Sequence, residues 1–142
     1  MGEKRKALRV VLDTNVLVSA LILKGKLSRL VDLWRSGRIT PVLSRETFDE
    51  FRRVLEYPKF SLSTSEIQGM LQEEILPFFE VVERVDSVSG ICRDPEDDTF
   101  IACAASAEVA FLVSGDKDLC SLGKFGRVRI ITPKQLLAML DE

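Results

Sequence analysis

Five short apolar runs, each divided from the next by a stretch with helical periodicity, leave few folds open to this chain. Leu8–Leu12, residues 39–43, residues 79–85, residues 109–114 and Val128–Ile131 have strand length and are rich in β-branched or large apolar residues. Helical signals fill the gaps. Thr14 or Asn15 is placed to cap a helix over residues 16–23. Leu27, Leu30, Val31 and Trp34 recur at helical spacing before Gly37, a good residue just past a helix end. Ser44 heads a helix to about residue 56 with Phe48, Phe51, Val54 and Leu55 as its buried stripe. Ser63-Thr-Ser-Glu66 and Thr132-Pro-Lys-Gln135 have the form of capping boxes. The first opens a helix with Ile67, Met70, Leu71 and Ile75 that Pro77 ends; the second opens one with Leu136, Leu137 and Leu140. Asp94 followed by Pro95 is a cap and a preferred first helical residue, ahead of Phe100, Ile101, Ala104 and Ala105. Pro41 should shorten the second strand or place it at an edge. Strands alternating with helices imply an α/β fold with a mostly parallel sheet. The working crevice of such a sheet lies beyond the carboxyl ends of its strands.

Composition narrows the chemistry. The 142 residues are expected to form one domain, residues 1–142, with a charged, frayed start over residues 1–7. Twenty Lys and Arg stand against 22 Asp and Glu, a net charge of −2, so no overall basic field is available to grip a polyanion. Histidine is absent, which removes Ser-His-Asp and Cys-His catalysis and imidazole-based zinc sites. Cys92, Cys103 and Cys120 form no C-x-x-C pair and read as the reduced thiols of a cytoplasmic protein. No apolar run approaches the roughly 18–20 residues that span a bilayer, so no membrane partner is expected. The start lacks the apolar segment of a signal peptide. Neither G-x-x-x-x-G-K-[ST] nor G-x-G-x-x-G occurs, which argues against a nucleotide-binding enzyme.

Acids gather where the crevice should be. One expected strand ends on Asp13 and another runs into Ser114-Gly-Asp116. Parallel strands bring both carboxylates to one edge. Asp94-Pro-Glu-Asp-Asp98 opens a helix at that edge; capping explains Asp94 and partly Glu96 and Asp97, whereas Asp98, a turn before Ile101 and Ala102, leans toward the packed face. On the helix after Ser44, Glu50 lies about 200° round from Phe48 and borders the apolar stripe, with Glu46 and Asp49 turned further to solvent. Like charges about 4 Å apart repel by roughly 4 kcal/mol at an effective dielectric near 20, so such a cluster calls for a cation. Oxygen donors without histidine or thiolate suit Mg²⁺ or Mn²⁺. Such ions activate water and stabilise a leaving oxygen, which allows phosphodiester hydrolysis without histidine.

Leu12-Asp-Thr-Asn-Val16, Asp98-Thr-Phe-Ile-Ala102 and Val113-Ser-Gly-Asp-Lys-Asp-Leu119 together resemble a PIN domain, the nuclease family that includes the VapC-type toxins of toxin–antitoxin pairs. The similarity runs from about Leu8 to Leu140, and Cys92-Arg-Asp-Pro-Glu-Asp-Asp98 resembles a subgroup of toxin components. The resemblance implies a three-layer α/β/α sandwich and Mg²⁺- or Mn²⁺-dependent cleavage of single-stranded RNA. It assigns metal and catalytic roles to Asp13, Glu50, Asp98 and Asp116. Asn15 would hold the Asp13 loop by hydrogen bonds, Ser114 would orient a ligand or water, and Asp118 would be an accessory acid. Asp97 is the alternative to Asp98, which is preferred for its spacing of four from Ala102, and Glu46 is the alternative to Glu50. An antitoxin protein and a homodimer are the implied partners, the latter through Leu137, Met139 and Leu140 or the stripe near residues 27–34. Lys24, Lys26, Arg93, Lys117 and Lys124 are candidates to hold phosphates. The competing readings are a PIN-like module that binds RNA or protein without cutting, and a phosphoacceptor receiver domain, which would want adjacent acids near the first strand where only Asp13 stands. A haloacid-dehalogenase-type phosphatase would need a second Asp at Asn15.

Overall fold

The computed structural model describes residues 7–23 and 25–141; most of the expected frayed start, and Lys24, lie outside the described residues. In chain order the elements are β1 (Leu8–Leu12), α1 (Thr14–Leu21), α2 (Arg29–Arg35), β2 (Ile39–Ser44), α3 (Arg45–Leu55), α4 (Thr64–Met70), β3 (Glu80–Val82), α5 (Pro95–Ser106), β4 (Phe111–Val113), α6 (Lys117–Leu122), β5 (Lys124–Phe125), β6 (Val128–Ile131) and α7 (Pro133–Leu140). The strands form one sheet in the order β3-β2-β1-β4-β6-β5, parallel except for β5 against β6.

Alternation along the strands creates the three layers. Val10, Leu12, Leu43 and Val113 point to one face, where they meet Leu17, Trp34, Phe51, Leu55 and Leu136 from α1, α2, α3 and α7. Val11, Val42, Leu112 and Ile130 point to the other, against Phe100, Ile101, Cys103 and Ala104 of α5 and Leu119 of α6. Each fully buried large side chain contributes about 1.5–3 kcal/mol, so the two cores outweigh any single surface contact. The small residues of α5 let that helix lie close to the sheet. The chain moves outward from β1 through β2 to β3, then returns to place β4 on the opposite side of β1. That reversal opens a crevice at the carboxyl ends of β1 and β4.

Several expectations change in detail. Asp13, not Thr14 or Asn15, caps α1, because its own side chain reaches the Val16 amide. β2 is an inner strand despite Pro41; β3 pairs only with Val42, Leu43 and Ser44, which leaves Pro41 with a neighbour on the β1 side alone. The helix expected to end at Pro77 widens into a π-helical turn over Leu71–Ile75, with Leu76 N bonded to Leu71 O at 2.9 Å. Trp34 Nε1 donates to the Glu74 carbonyl of that turn at 3.0 Å. In the stripe near residues 27–34, Leu30 and Trp34 are core residues, while Leu27 and Val31 are partly buried against the same core. Gly123 ends α6, and β5 turns back along β6 through Gly126 and Arg127, where Gly126 takes a φ of 58°.

Candidate active site

Four elements deliver an acid to one cavity at the carboxyl edge of the sheet. Parallel pairing of Leu12 with Val113 sets the next residues, Asp13 and Ser114, side by side. Ser114 is fully buried; its Oγ donates to Asp13 Oδ2 and accepts from the Asp116 amide at 2.9 Å. The other Asp13 oxygen accepts from Val16 N at 2.9 Å. Asp116 caps α6, its Oδ1 accepting from Asp118 N at 2.8 Å and Leu119 N at 3.1 Å. Glu50 arrives from the second turn of α3, where Thr14 Oγ1 donates to Glu50 Oε2. Asp97 arrives from the first turn of α5, behind the Asp94 cap. The cavity has a volume of about 580 Å³; Asp94, Glu96 and Asp118 add three more carboxylates to its lining.

Electrostatics bind these acids into one system. Burial pushes the Asp13 carboxyl up, opposed by the Ser114 and Val16 hydrogen bonds, and Asp116 and Glu50 push it further up. Burial raises Glu50 as well, against the lowering effect of Thr14. Asp97 is pushed up to about 6, first by burial and then by Asp116, Asp94, Asp13 and Glu50. Among the described residues the ion pairs are Arg9–Glu80, Arg29–Asp141 and Arg35–Glu74, none of which touches the cluster. The repulsion is therefore not relieved by any described ion pair.

Comparison with known proteins fits this arrangement. The family model described as PIN domain matches residues 9–118. The chain belongs to the PIN-domain family. Uncharacterized protein MJ1680 of Methanocaldococcus jannaschii is 30% identical over 147 residues, covering 95% of this chain and 93% of that one. Two solved structures share the fold. FitAcB from Neisseria gonorrhoeae has a TM-score of 0.60 at 17% identity, over 88% of this chain and 98% of that chain. PAE2754 from Pyrobaculum aerophilum has a TM-score of 0.61 at 14% identity, over 98% of each chain.

In this PIN domain the expected site residues do not all meet. Asp13, Glu50, Asp116, Asn15 and Asp118 line the cavity, and Ser114 lies beneath it. Asp98 does not: it is buried, accepts from Cys92 N at 2.7 Å, and faces a separate small cavity of about 130 Å³ that also holds Glu46. Asp97, the alternative to it, lines the cavity instead. The reason is helical phase, since Asp97 shares its face with Phe100, one turn on, and Phe100 lines the same cavity. The larger apolar residue was the signal that separated the two acids. Asp13 is held by Ser114 and Val16 rather than by Asn15, whose side chain makes no hydrogen bond among the described residues. Thr14, which positions Glu50, carried no sequence signal beyond its place beside Asp13. Lys117 lies with Asn15, Asp116 and Asp118 in an adjoining open groove. Cys92 lies beside Asp98, and burial with that carboxylate pushes its thiol up to about 12, so it stays protonated.

The donor set is all oxygen and suits a hard divalent ion. The four acids share the cavity without closing round one point: among the described residues no three acid or thiol groups stand close enough to form a ready metal cage. No helix of the described residues is long and apolar enough to cross a membrane.

Proposed function

We propose that this PIN domain is a Mg²⁺- or Mn²⁺-dependent endoribonuclease acting on single-stranded RNA. The observation that carries it is the convergence of Asp13, Glu50, Asp97 and Asp116 from four separate elements on one cavity, with no ion pair to any of them among the described residues. Asp13, Asp97 and Asp116 would hold the ion, with Glu50 at the border. When bound, the ion would neutralise the acids and supply Lewis-acid activation of water and of the phosphodiester. The protein's own groups do the positioning. Ser114 fixes one Asp13 oxygen and the Asp116 backbone together, and Thr14 orients Glu50. Lys117, at the adjoining groove, is placed to meet a phosphate of the strand.

The VapC-type resemblance extends the proposal to the toxin half of a toxin–antitoxin pair, restrained by an antitoxin protein. It also suggests a homodimer through α7, where Met139 is 44% exposed beside partly buried Leu137 and Leu140.

The test is cleavage of RNA with Mn²⁺ or Mg²⁺, with and without chelator, alongside Asp13→Asn. The expected result is metal-dependent cutting by the parent and at least about a hundredfold less by the variant, with an unchanged circular dichroism spectrum. Folded protein that cuts nothing at any metal level, and binds no divalent ion by calorimetry, is instead a binding module.

A further inference from the structure

The cavity has a second half that the acids do not use. Beyond Glu50 its wall is Arg53, Val54, Tyr57, Lys59 and Phe60. Glu50, Arg53 and Val54 follow i, i+3, i+4 spacing on one face of α3, and Tyr57 stands just past the end of that helix, so the same wall carries an acid at one end and an aromatic ring at the other. Tyr57 is 46% exposed, an unusual state for a large ring in a chain with one tyrosine and one tryptophan, the latter fully buried. The turn that presents it is tightly held: Tyr57 N bonds Val54 O at 3.0 Å, Phe60 N bonds Tyr57 O at 3.0 Å, and Ser61 N bonds Pro58 O at 3.0 Å. Lys59 Nζ lies 5.1 Å from the centre of the Phe60 ring, a cation–π contact that keeps the ammonium at the cavity wall. Arg53 and Lys59 are exposed and belong to none of the described ion pairs.

A rigid exposed ring flanked by two cations is the chemistry that holds single-stranded nucleic acid: the ring stacks on a base and the cations meet the neighbouring phosphates. The acidic half of the cavity repels phosphates unless a cation is bound, so a purely acidic cleft would hold a strand poorly. The aromatic half offsets this. We propose that Tyr57, with Arg53 and Lys59, forms a nucleobase-stacking subsite that anchors a single strand beside the acid cluster. It lines the same cavity as Glu50, seven residues further along the chain, within reach of a neighbouring nucleotide on the same strand. The inference rests on the nuclease reading for its place beside a scissile bond, but the binding itself does not require cleavage.

The experiment is therefore a binding titration. Short single-stranded RNA and DNA oligonucleotides with a fluorescent end label are titrated by anisotropy against parent, Tyr57→Ala, Tyr57→Phe and Lys59→Ala proteins, in Ca²⁺ to disfavour cutting. Tyr57→Ala is expected to lower affinity about tenfold while Tyr57→Phe keeps it. An oligonucleotide with a single abasic position scanned along it should erase the difference between parent and Tyr57→Ala at one register. Lys59→Ala should reduce the salt slope by about one ion. Comparing RNA with DNA tells whether the subsite takes either strand or discriminates by sugar. In the Mn²⁺ cleavage assay, Tyr57→Ala should raise KM with kcat nearly unchanged. Equal binding by parent and Tyr57→Ala, with the melting temperature preserved, overturns the subsite while leaving the acid cluster and its cleavage intact. Tyr57-dependent binding without any metal-dependent cleavage overturns the nuclease reading and keeps the subsite.

Discussion

Ser114 Oγ stands between two acids, donating to Asp13 and accepting from the backbone of Asp116. Ser114→Ala removes both bonds in a fully buried position and is expected to cost about 1–3 kcal/mol and to slow cleavage, whereas Ser114→Thr should preserve both; chemical denaturation and single-turnover cleavage read the two effects. Asp97 and Asp98 should separate just as cleanly. Asp97→Asn should abolish most cleavage and leave the fold intact, while Asp98→Ala strips the Cys92 amide of its acceptor and should lower stability by about 1–2 kcal/mol. Asp97 also sets a pH dependence. Its folded value of about 6 lies above the ordinary 3.8, so the folded state holds a proton that the unfolded chain releases. That contribution is fully present below about pH 4 and is lost as the pH rises through about 6. In chelator, the melting temperature of the parent should fall more steeply over this window than that of Asp97→Asn, and Asp97→Asn should be the more stable of the two at pH 7. Mg²⁺ or Mn²⁺ should stabilise the parent more than the variant.

The helix starts depend on local chemistry and were largely legible. Ser63 with Glu66, and Thr132 with Gln135, form the expected reciprocal caps, because each needs only a side chain and a backbone three residues apart. Ser44 does the same with Thr47 in place of an acid, in a fully buried setting. Ser44→Ala should cost about 1–2 kcal/mol in denaturant unfolding, at the high end for a cap, since the Thr47 amide loses its acceptor away from water while the Thr47 hydroxyl keeps the backbone of residue 44. What sequence did not reveal depends on tertiary neighbours. β5 is two residues that pair only because the turn at Gly126 and Arg127 folds them onto β6. β3 shrinks to three residues because its pairing ends with β2 at Ser44. The π-helical turn is marked by no motif in its own residues. The acids at strand ends were legible because parallel pairing forces them together; which of Asp97 and Asp98 faces the cavity was not, because adjacent helical residues differ by about 100° and the spacing to Ala102 did not fix the phase.

Across the whole molecule, the sheet order places β1 centrally and its acid at the reversal point between two halves of the chain. The proposed dimer through α7 is tested at this scale: Met139→Glu should convert a dimer to a monomer in sedimentation equilibrium with an unchanged circular dichroism spectrum, and the concentration dependence of the melting temperature should disappear with the dimer. The four converging acids stand at positions 13, 50, 97 and 116, far apart along the chain, so no local segment can bring them together. Until β4 pairs with β1, Asp116 has no fixed place beside Asp13, so the acid cluster is assembled by the sheet and by no shorter stretch of the chain.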